Sequence, residues 1–297
     1  MQINGPNLKT LYTGFNTAYT RGFTGAETSY QSIATVVQST TRANEYGWLG
    51  KVPKVREWLG DRVVHGLNAH EYTIKNKSFE LTIGVDRDDI SDDNLGIYAP
   101  MFEEMGMSAA EHPDEMVWNL WLAAFDTACY DGQNFFDTDH PVLDEDGAKQ
   151  SVSNMQAGAG PAWYLIDDTR PLKPVIFQSR KSFQFVAKDK ETDDNVFNKK
   201  EYQYGVDGRD NVGFGLWQFA FGSKAPLDSD NYLAARTSMR TMRGDHGRKM
   251  TSRPRKLIVP PSLEKKGLEL LNAERDAAGA TNVWRGTAEL QVVDWLE

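Results

Sequence analysis

The stretch YDGQNFFDTDHP, residues 130–141, concentrates the side chains of this sequence that could do chemistry. Asp137 and Asp139 form a D-x-D pair that could hold Mg²⁺, and the adjacent His140 could act as a general base. Together these residues would make a metal-dependent hydrolase. Glycine, asparagine and proline surround them, however, and Asp and Asn in such company commonly bond the backbone of a turn. The residue types therefore favour a structural turn and leave hydrolysis as the alternative.

The rest of the sequence lacks the common catalytic and cofactor-binding motifs. It has no Walker phosphate loop, no HExxH, GxSxG or CxxC, and no GxGxxG that opens a helix. The single cysteine, Cys129, closes an apolar helical run and is predicted to be a buried core thiol. One cysteine makes no internal disulfide, and structural zinc usually needs several thiolates or imidazoles. We therefore expect no cofactor and no metal.

Length and composition indicate a folded protein with one large domain or two ordinary ones. The chain has 297 residues, of which 40% are hydrophobic and 11% aromatic, a content that argues against disorder. No run of about 18 apolar residues occurs, so no membrane span is expected. The first residues, MQINGPNLKT, do not have the pattern of a signal peptide.

Charge is distributed unevenly along the chain, whose net charge is −9. Residues 42–77 carry seven Lys/Arg and four Asp/Glu, and residues 236–256 carry eight Lys/Arg and one Asp. Residues 86–146 carry seventeen Asp/Glu and one basic residue, Arg87. These segments are either solvated faces or complementary surfaces on copies of one chain, since opposite charges steer association.

The elements that would position these residues differ from one part of the chain to the next. Apolar spacing of three to four predicts a first helix near residues 6–20. Residues 45–78 are glycine-rich and β-prone, which predicts a long hairpin or extended loop that exposes Trp48 and Trp58. Exposed tryptophans with basic neighbours are typical of a contact surface, and burial in the parent core is the alternative. The alternation in residues 78–85 predicts a strand.

A long helix is predicted over about residues 94–129. Ser108 and Glu111 have capping-box spacing and Pro113 would lie near a helix start, so two helical pieces would join in one kinked helix of about 35 residues. Its apolar residues fall on two faces, which predicts burial between layers or between subunits. The predicted core of this helix is Val117, Trp118, Leu120, Trp121 and Phe125.

The second half of the chain predicts strands followed by an α/β unit. Two aromatic-rich strands would meet at a turn in DGRDN, residues 207–211. A helix would begin near residue 229, capped by Ser229 or Asp230. The order strand, helix capped by Ser262, strand then predicts a small α/β unit. The fold class is therefore α+β.

Five segments carry a resemblance to a known family. They are STTRANEYGWLGKVPKVREWLGDR (39–62), DDNLGIYAPMFEEMG (92–106), CYDGQNFFDTDHP (129–141), RPLKPVIFQSRK (170–181) and GRKMTSRPRKLIVPPSLEKKGLELLNAE (247–274). In this order they resemble the major head (capsid) subunit of Mu-like tailed phages, from about residue 8 to the C-terminus. Each segment is weak alone, and the collinear set is specific.

The resemblance implies an HK97-type capsid fold and a role in assembly instead of catalysis. The implied parts are an N-terminal arm (1–43), an extended E-loop (44–78), a peripheral P-domain (79–228) with a spine helix at about 94–129, and an axial A-domain (229–297). The implied function is self-assembly into hexamers and pentamers of an icosahedral head that encloses double-stranded DNA. The alternatives are the hydrolase and a virion decoration protein.

The resemblance also implies that the E-loop lies across a neighbouring subunit. The expected E-loop contact residues are Trp48, Lys51, Lys54, Arg56, Trp58 and Arg62. The expected acidic counter-surface is Asp86, Asp88, Asp89, Asp92 and Asp93.

Further partners and places follow from the same resemblance. Because the chain begins almost directly with the arm, a separate scaffolding protein is expected, together with a portal. A decoration or minor capsid protein is a further candidate partner, and packaged DNA would be bound weakly and without sequence choice. Since no spacing singles out a Lys, Asn and Glu set, we expect a shell without covalent cross-links. The protein would lie in the virion, and in the host bacterial cytoplasm during assembly.

Overall fold

One long helix and two β-sheets organise the structure. The computed structural model describes residues 3–47, 49, 72–92, 95–276 and 278–297. The helices are α1 (Gly5–Gly25), α2 (Arg87–Ser91), α3 (Tyr98–Leu122), α4 (Asp194–Lys199), α5 (Ser229–Thr241) and α6 (Glu264–Leu271). No helix in these ranges combines the length and apolar character that crossing a membrane requires.

Short and long strands alternate with these helices. They are β1 (Ala34–Gln38), β2 (Ala43–Glu45), β3 (Thr73–Lys75), β4 (Lys77–Asp86), β5 (His140–Leu143), β6 (Lys149–Val152), β7 (Met155–Gln156), β8 (Trp163–Ile166), β9 (Val175–Lys188), β10 (Glu201–Phe214), β11 (Ala220–Ser223), β12 (Arg243–Gly244), β13 (Arg248–Lys249), β14 (Lys256–Val259) and β15 (Glu289–Val292).

The first sheet has the order β1-β9-β10-β4 and is built around one long hairpin. β9 and β10 are antiparallel and 14 residues each, while β1 joins β9 in parallel. The predicted turn at residues 207–211 is wrong, because β10 runs through it and pairs with strands on both sides. The glycine that suggested a turn, Gly208, instead lies at a bulge, where an added Cβ would come within 2.9 Å of the Phe183 ring.

The second sheet has the order β15-β14-β8-β11-β7. As predicted, β14, α6 and β15 form a strand–helix–strand unit with parallel strands. However, β7, β8 and β11 come from residues 155–223, so a boundary at residue 229 does not separate the two sheets. The reason is topological, because β14 finds its other neighbour in β8, an earlier and fully buried strand.

Two predicted helix caps in this half are corrected by the structure. Asp228 caps α5, since its Oδ1 accepts a hydrogen bond of 2.8 Å from the backbone N of Asn231. The segment of Ser262 is a 3₁₀ turn, and α6 begins after it at Glu264 without a side-chain cap.

The long helix α3 spans 25 residues and is followed by a 3₁₀ turn at Ala123–Phe125. It is shorter than the predicted 94–129, and Pro113 lies inside it instead of near its start. An interior proline loses a helical hydrogen bond and disfavours the helix. Tertiary contacts offset this cost, because the carboxylate of the next residue, Asp114, accepts bonds from the backbone N of Ser29 (2.8 Å) and of Tyr30 (2.7 Å).

The C-terminal part of α3 enters a core that both sheets share. Val117, Trp118 and Trp121 are fully buried, Phe125 is buried in the following turn, and Leu120 packs against this core from a half-buried position. The same core contains Ile176 of the first sheet and Tyr164, Ile166 and Ile258 of the second sheet.

The N-terminal part of α3 packs against α1 at unusually short range. An added Cβ on Gly106 of α3 would lie 2.1 Å from the backbone O of Tyr19, and one on Gly22 of α1 would lie 1.9 Å from the backbone O of Glu103. Only glycine permits this approach. Around it Phe15 of α1 stacks on Phe102 of α3 with ring centroids 4.2 Å apart.

This contact generates a prediction about the docking of α1. Gly106→Ala should lower the free energy of unfolding by about 1–3 kcal/mol, because the new methyl group has to push the two backbones apart. It should also make α1 more sensitive to limited proteolysis. Urea unfolding and protease digestion of the purified subunit would measure both effects.

A control variant lies on the same helix. Gly14 of α1 is exposed and an added Cβ there meets nothing within 4 Å, so Gly14→Ala should stabilise α1 by about 0.5–1 kcal/mol. Equal behaviour of the two variants would show that the helices do not depend on this close contact.

Candidate functional site

The stretch of residues 126–140 forms a tight corner after α3. Its backbone folds back on the helix end, with bonds from Phe136 N to Ala124 O (3.0 Å) and from Phe135 N to Thr127 O (3.1 Å). Both phenylalanines are buried and pack against Trp121. Gly132 has φ +88°, a left-handed conformation that favours glycine at the turn. The two rings therefore anchor the corner in the shared core.

His140 is fully buried in this corner and is held on three sides. Its Nδ1 lies 2.8 Å from Oδ2 of Asp131, and its Nε2 lies 3.2 Å from Oδ1 of Asn154. The amide of Asn154 is oriented by its own donation of 2.8 Å to the backbone O of Phe135. The imidazole also stacks on Trp217, with centroids 3.8 Å apart and planes 9° apart. Both ring nitrogens therefore face oxygens of the same corner, and the fully buried ring is closed to a substrate.

Asp131 and Cys129 complete the network around this histidine. Ligand atoms of Cys129, Asp131 and His140 lie within 4.8 Å of one another, a spacing that a metal ion would also require. Burial raises the pKa of the Cys129 thiol far above its usual value, so it stays protonated and donates to Oδ1 of Asp131 at 3.1 Å. Burial alone would raise the pKa of Asp131, but bonds from His140 and Cys129 outweigh it and hold that pKa below its usual value. The trio is thus explained as an internal hydrogen-bond network.

The carboxylates of the D-x-D pair do not contact His140, although the backbone N of Asp137 donates to Oδ1 of Asn154 (2.9 Å). Asp137 accepts bonds from the backbone N of Thr138 (2.6 Å) and of Asn134 (3.3 Å), as expected of a turn residue. Asp139 is exposed, and a hydrogen bond shared with Asp137 raises its pKa. Sequence reasoning missed Asp131 as the partner of His140, although it lies in the same stretch. It could not have found Asn154, since nothing in the sequence links that residue to the corner.

The expected contact surfaces fall only partly on described residues. Trp48, Lys51, Lys54, Arg56, Trp58, Arg62 and Asp93 lie outside the ranges that the structure describes. The remaining acidic residues lie around α2, where Asp86 caps the helix and Asp88 is 3.5 Å from Lys200. Asp89 accepts a bond of 2.5 Å from the Tyr98 hydroxyl, and Asp92 is exposed.

Sequence reasoning also missed an exposed aromatic ring at the end of the long hairpin. The short helix α4 connects β9 to β10, and its Phe197 is 83% exposed. An isolated phenylalanine in a polar segment, DDNVFNKK, was the available signal. Such an exposed ring is suited to contact with another molecule.

Comparison with known proteins decides the family. The sequence model of the Mu-like prophage major head subunit gpT matches residues 8–296. The chain belongs to this family of Mu-like major head subunits. It is 43% identical over 305 residues to the major capsid protein of Escherichia phage Mu, with all of both chains covered. It is 44% identical over 300 residues to the major head subunit of the Mu-like prophage FluMu of Haemophilus influenzae, with 97% of each covered.

Solved structures of relatives give the fold. The chain superposes on a subunit of the procapsid of bacteriophage JBD30 with a TM-score of 0.87 and 44% identity, covering 99% of this chain and 100% of that one. For a subunit of the JBD30 capsid the TM-score is 0.78 at 35% identity, with 92% of each covered. The predicted HK97-type capsid fold is confirmed. This Mu-like head subunit is a structural component of a virion shell and not an enzyme, and neither the hydrolase nor the decoration-protein alternative is supported.

The corner generates a prediction about stability. Asp131→Asn should lower the free energy of unfolding by about 3 kcal/mol or more at neutral pH, because it leaves a buried histidine without its carboxylate. Since the folded-state pKa of Asp131 is lowered, its contribution is complete above the unfolded pKa of about 3.9 and is lost as the pH falls through the folded pKa. Urea unfolding at several pH values should therefore show the difference from wild type shrinking below about pH 4.

Asp139→Asn is the matched control for that variant. It removes the same charge from an exposed side chain and should leave the free energy of unfolding close to that of wild type. Equal losses in the two variants would contradict the assignment of Asp131 as the partner that holds His140.

Proposed function

We propose that this head subunit assembles into hexamers and pentamers that close into an icosahedral shell around double-stranded DNA. The observation that carries the proposal is the end-to-end likeness to a procapsid subunit, which covers 99% of this chain and 100% of that one. The corner of Asp131 and His140 is consistent with it, because its polar groups bond one another inside the core.

The parts of the shell subunit follow the elements of the fold. In this proposal residues 1–43 form the N-terminal arm and contain α1, and residues 44–78 form the E-loop. The helix α3 is the spine helix, and the first sheet belongs to the P-domain. The A-domain is built on the second sheet and therefore takes β7, β8 and β11 as well as residues from 229 onward.

The contact proposed between subunits joins the E-loop to an acidic surface. Trp48 and Trp58 would anchor the loop on a neighbour, and its lysines and arginines would face the carboxylates of residues 86–93. One exposed ion pair contributes only about 0–1 kcal/mol. A closed shell repeats each contact many times, so weak contacts add up to a sharp assembly transition that still allows misplaced subunits to leave.

The remaining partners belong to assembly and packaging. We expect a separate scaffolding protein, a portal and packaged DNA held by weak contacts, with assembly in the cytoplasm of the host bacterium. The JBD30 capsid is known decorated with trimers of a minor capsid protein. By analogy, a minor capsid protein is a candidate partner of this shell.

Assembly can be tested by co-expressing the subunit with the scaffolding protein of its own phage and counting closed particles by negative-stain electron microscopy. Wild type should form closed shells. Trp58→Ala, and charge reversal of Lys51, Lys54 and Arg56 together, should reduce the particle yield by about tenfold or more, because they remove an anchor or create like-charge contacts.

A matched control reverses charge elsewhere on the surface. Lys265→Glu with Lys266→Glu alters two exposed lysines of α6 and should leave the particle yield near that of wild type. Wild-type shells with an unchanged yield from the E-loop variants would contradict the E-loop contact. A wild-type protein that remains monomeric or trimeric with its scaffold would contradict the proposed assembly itself.

The exposed ring on α4 supplies a second contact to test. Phe197→Ser should reduce particle yield, because a second copy is the partner that a shell subunit meets most often and an exposed ring is suited to burial there. The unfolding free energy of the subunit should change by no more than about 0.5 kcal/mol, since the ring makes little contact within the chain. Asn198→Ser, at the neighbouring exposed position, is the control that should assemble normally.

A further inference from the structure

A basic cleft of about 470 Å³ lies between the C-terminal half of α5 and the loop that precedes β14. Arg236 and Arg240 come from α5, one helical turn apart and therefore on the same face. The loop contributes Arg253 and Arg255, and Thr287 also lines the cleft. The lining residues are Arg236, Arg240, Thr251, Ser252, Arg253, Pro254, Arg255 and Thr287.

The floor of this cleft is fixed by hydrogen bonds to the second sheet. The backbone N of Arg253 donates to Oδ2 of Asp167 (2.8 Å), and the backbone N of Arg255 donates to the backbone O of Ile166 (2.9 Å). The guanidinium of Arg170 donates to the backbone O of Met250 (2.6 Å) and of Thr251 (3.0 Å). The loop is therefore held in one shape before any partner arrives.

Of the four arginines that line the cleft, one bonds to the backbone around it and the other three are available to a ligand. Arg236 donates to the backbone O of Pro254 (2.9 Å) and of Thr287 (3.1 Å). Within the part of the chain that the structure describes, the guanidinium groups of Arg240, Arg253 and Arg255 are exposed and make no hydrogen bond or ion pair.

A buried hydroxyl that lacks a hydrogen-bond partner independently indicates that the cleft receives a ligand. Ser252 lines it with only 5% of its surface exposed, and its Oγ has no hydrogen-bond partner among the described residues. A buried hydroxyl without a partner is destabilising, and native structures usually satisfy such groups. Arginine guanidinium groups beside a hydroxyl are suited to bind a planar or tetrahedral oxyanion, because the oxyanion accepts several charge-assisted hydrogen bonds from them.

We infer that this cleft binds carboxylate side chains of a second copy of the chain, supplied by its acidic segment, residues 86–146. The inference rests on the proposed assembly into a shell. The segment carries seventeen Asp/Glu against one arginine. Outside residues 86–93, which are proposed to meet the E-loop, several of its exposed carboxylates form no ion pair within the described ranges of their own chain, namely Glu104, Glu115 and Asp126.

The fixed geometry of the cleft favours a protein partner over packaged DNA. Binding of DNA without sequence choice needs only a charged surface that tracks phosphates, which mobile lysines and arginines supply. A concave site on a rigid floor instead gains from a partner whose groups arrive in the same place every time. Neighbouring copies in a symmetric shell meet that condition, because each copy presents the same residues in the same register.

The first experiment reverses charge in the cleft and counts closed particles formed without phage DNA. Arg240→Glu with Arg253→Glu should reduce the particle yield by about tenfold or more through like-charge repulsion. Lys265→Glu with Lys266→Glu changes the net charge equally outside the cleft and should have little effect. The melting temperature of each unassembled subunit should stay within about 2 °C of wild type, which separates assembly from folding.

The second experiment identifies the occupant with a variant that keeps the charge. Arg255→Lys places an amine in the cleft, and particles are assembled from an equal mixture of ¹⁴N- and ¹⁵N-labelled subunits. A carbodiimide then activates carboxyl groups, which the amine attacks to form an amide with release of the urea. Mass spectrometry should find heavy–light peptides that join position 255 to a carboxylate of residues 86–146.

The outcomes separate this inference from the proposed function. If Arg255→Lys particles form but position 255 is cross-linked only within one chain, to another segment, or to no carboxylate, the inference is overturned and assembly is left intact. An unchanged yield of empty particles with less packaged DNA in the charge-reversal variant would also overturn it, since the occupant would then be DNA phosphate. Absence of wild-type particles would count against assembly itself.

Discussion

The burial of both ends of α3 is the constraint on which the rest of the subunit depends. Its N-terminal part packs against α1 and the long hairpin through Phe102, Met105 and Ala109. Its C-terminal part carries Trp118 and Trp121 into a core that contains residues of both sheets. Each large side chain that is buried stabilises the fold by about 1.5–3 kcal/mol. Through these side chains α3 joins α1, the first sheet and the second sheet.

The corner after α3 extends the same connection. His140 stacks on Trp217, which lies in the short segment between β10 of the first sheet and β11 of the second. Asp131 and Asn154 hold the ring in that position. A network with the composition of an active site therefore fixes the junction between sheets, and its buried polar groups are satisfied by one another. This explains why residues suited to acid–base chemistry occur in a structural protein.

Sequence patterns predicted the positions of helices and strands better than the contacts between them. The first helix and the strand at residues 78–85 were placed within a few residues, because their apolar periodicity is strong. The turn at residues 207–211 and the start near Pro113 were wrong, since both relied on local propensity that sheet pairing and the Asp114 contacts override. The buried Ser252 and the hydrogen bond from His140 to Asn154 depend on residues brought together by the fold, which no local pattern encodes.

The core shared by the two sheets has a mechanical consequence. Protein interiors are close-packed and hardly compressible, so layers joined by one core resist bending relative to each other. The two sheets therefore behave as one rigid unit. When such subunits tile a closed surface, curvature has to be taken up at the contacts between subunits, because the core within each subunit yields little.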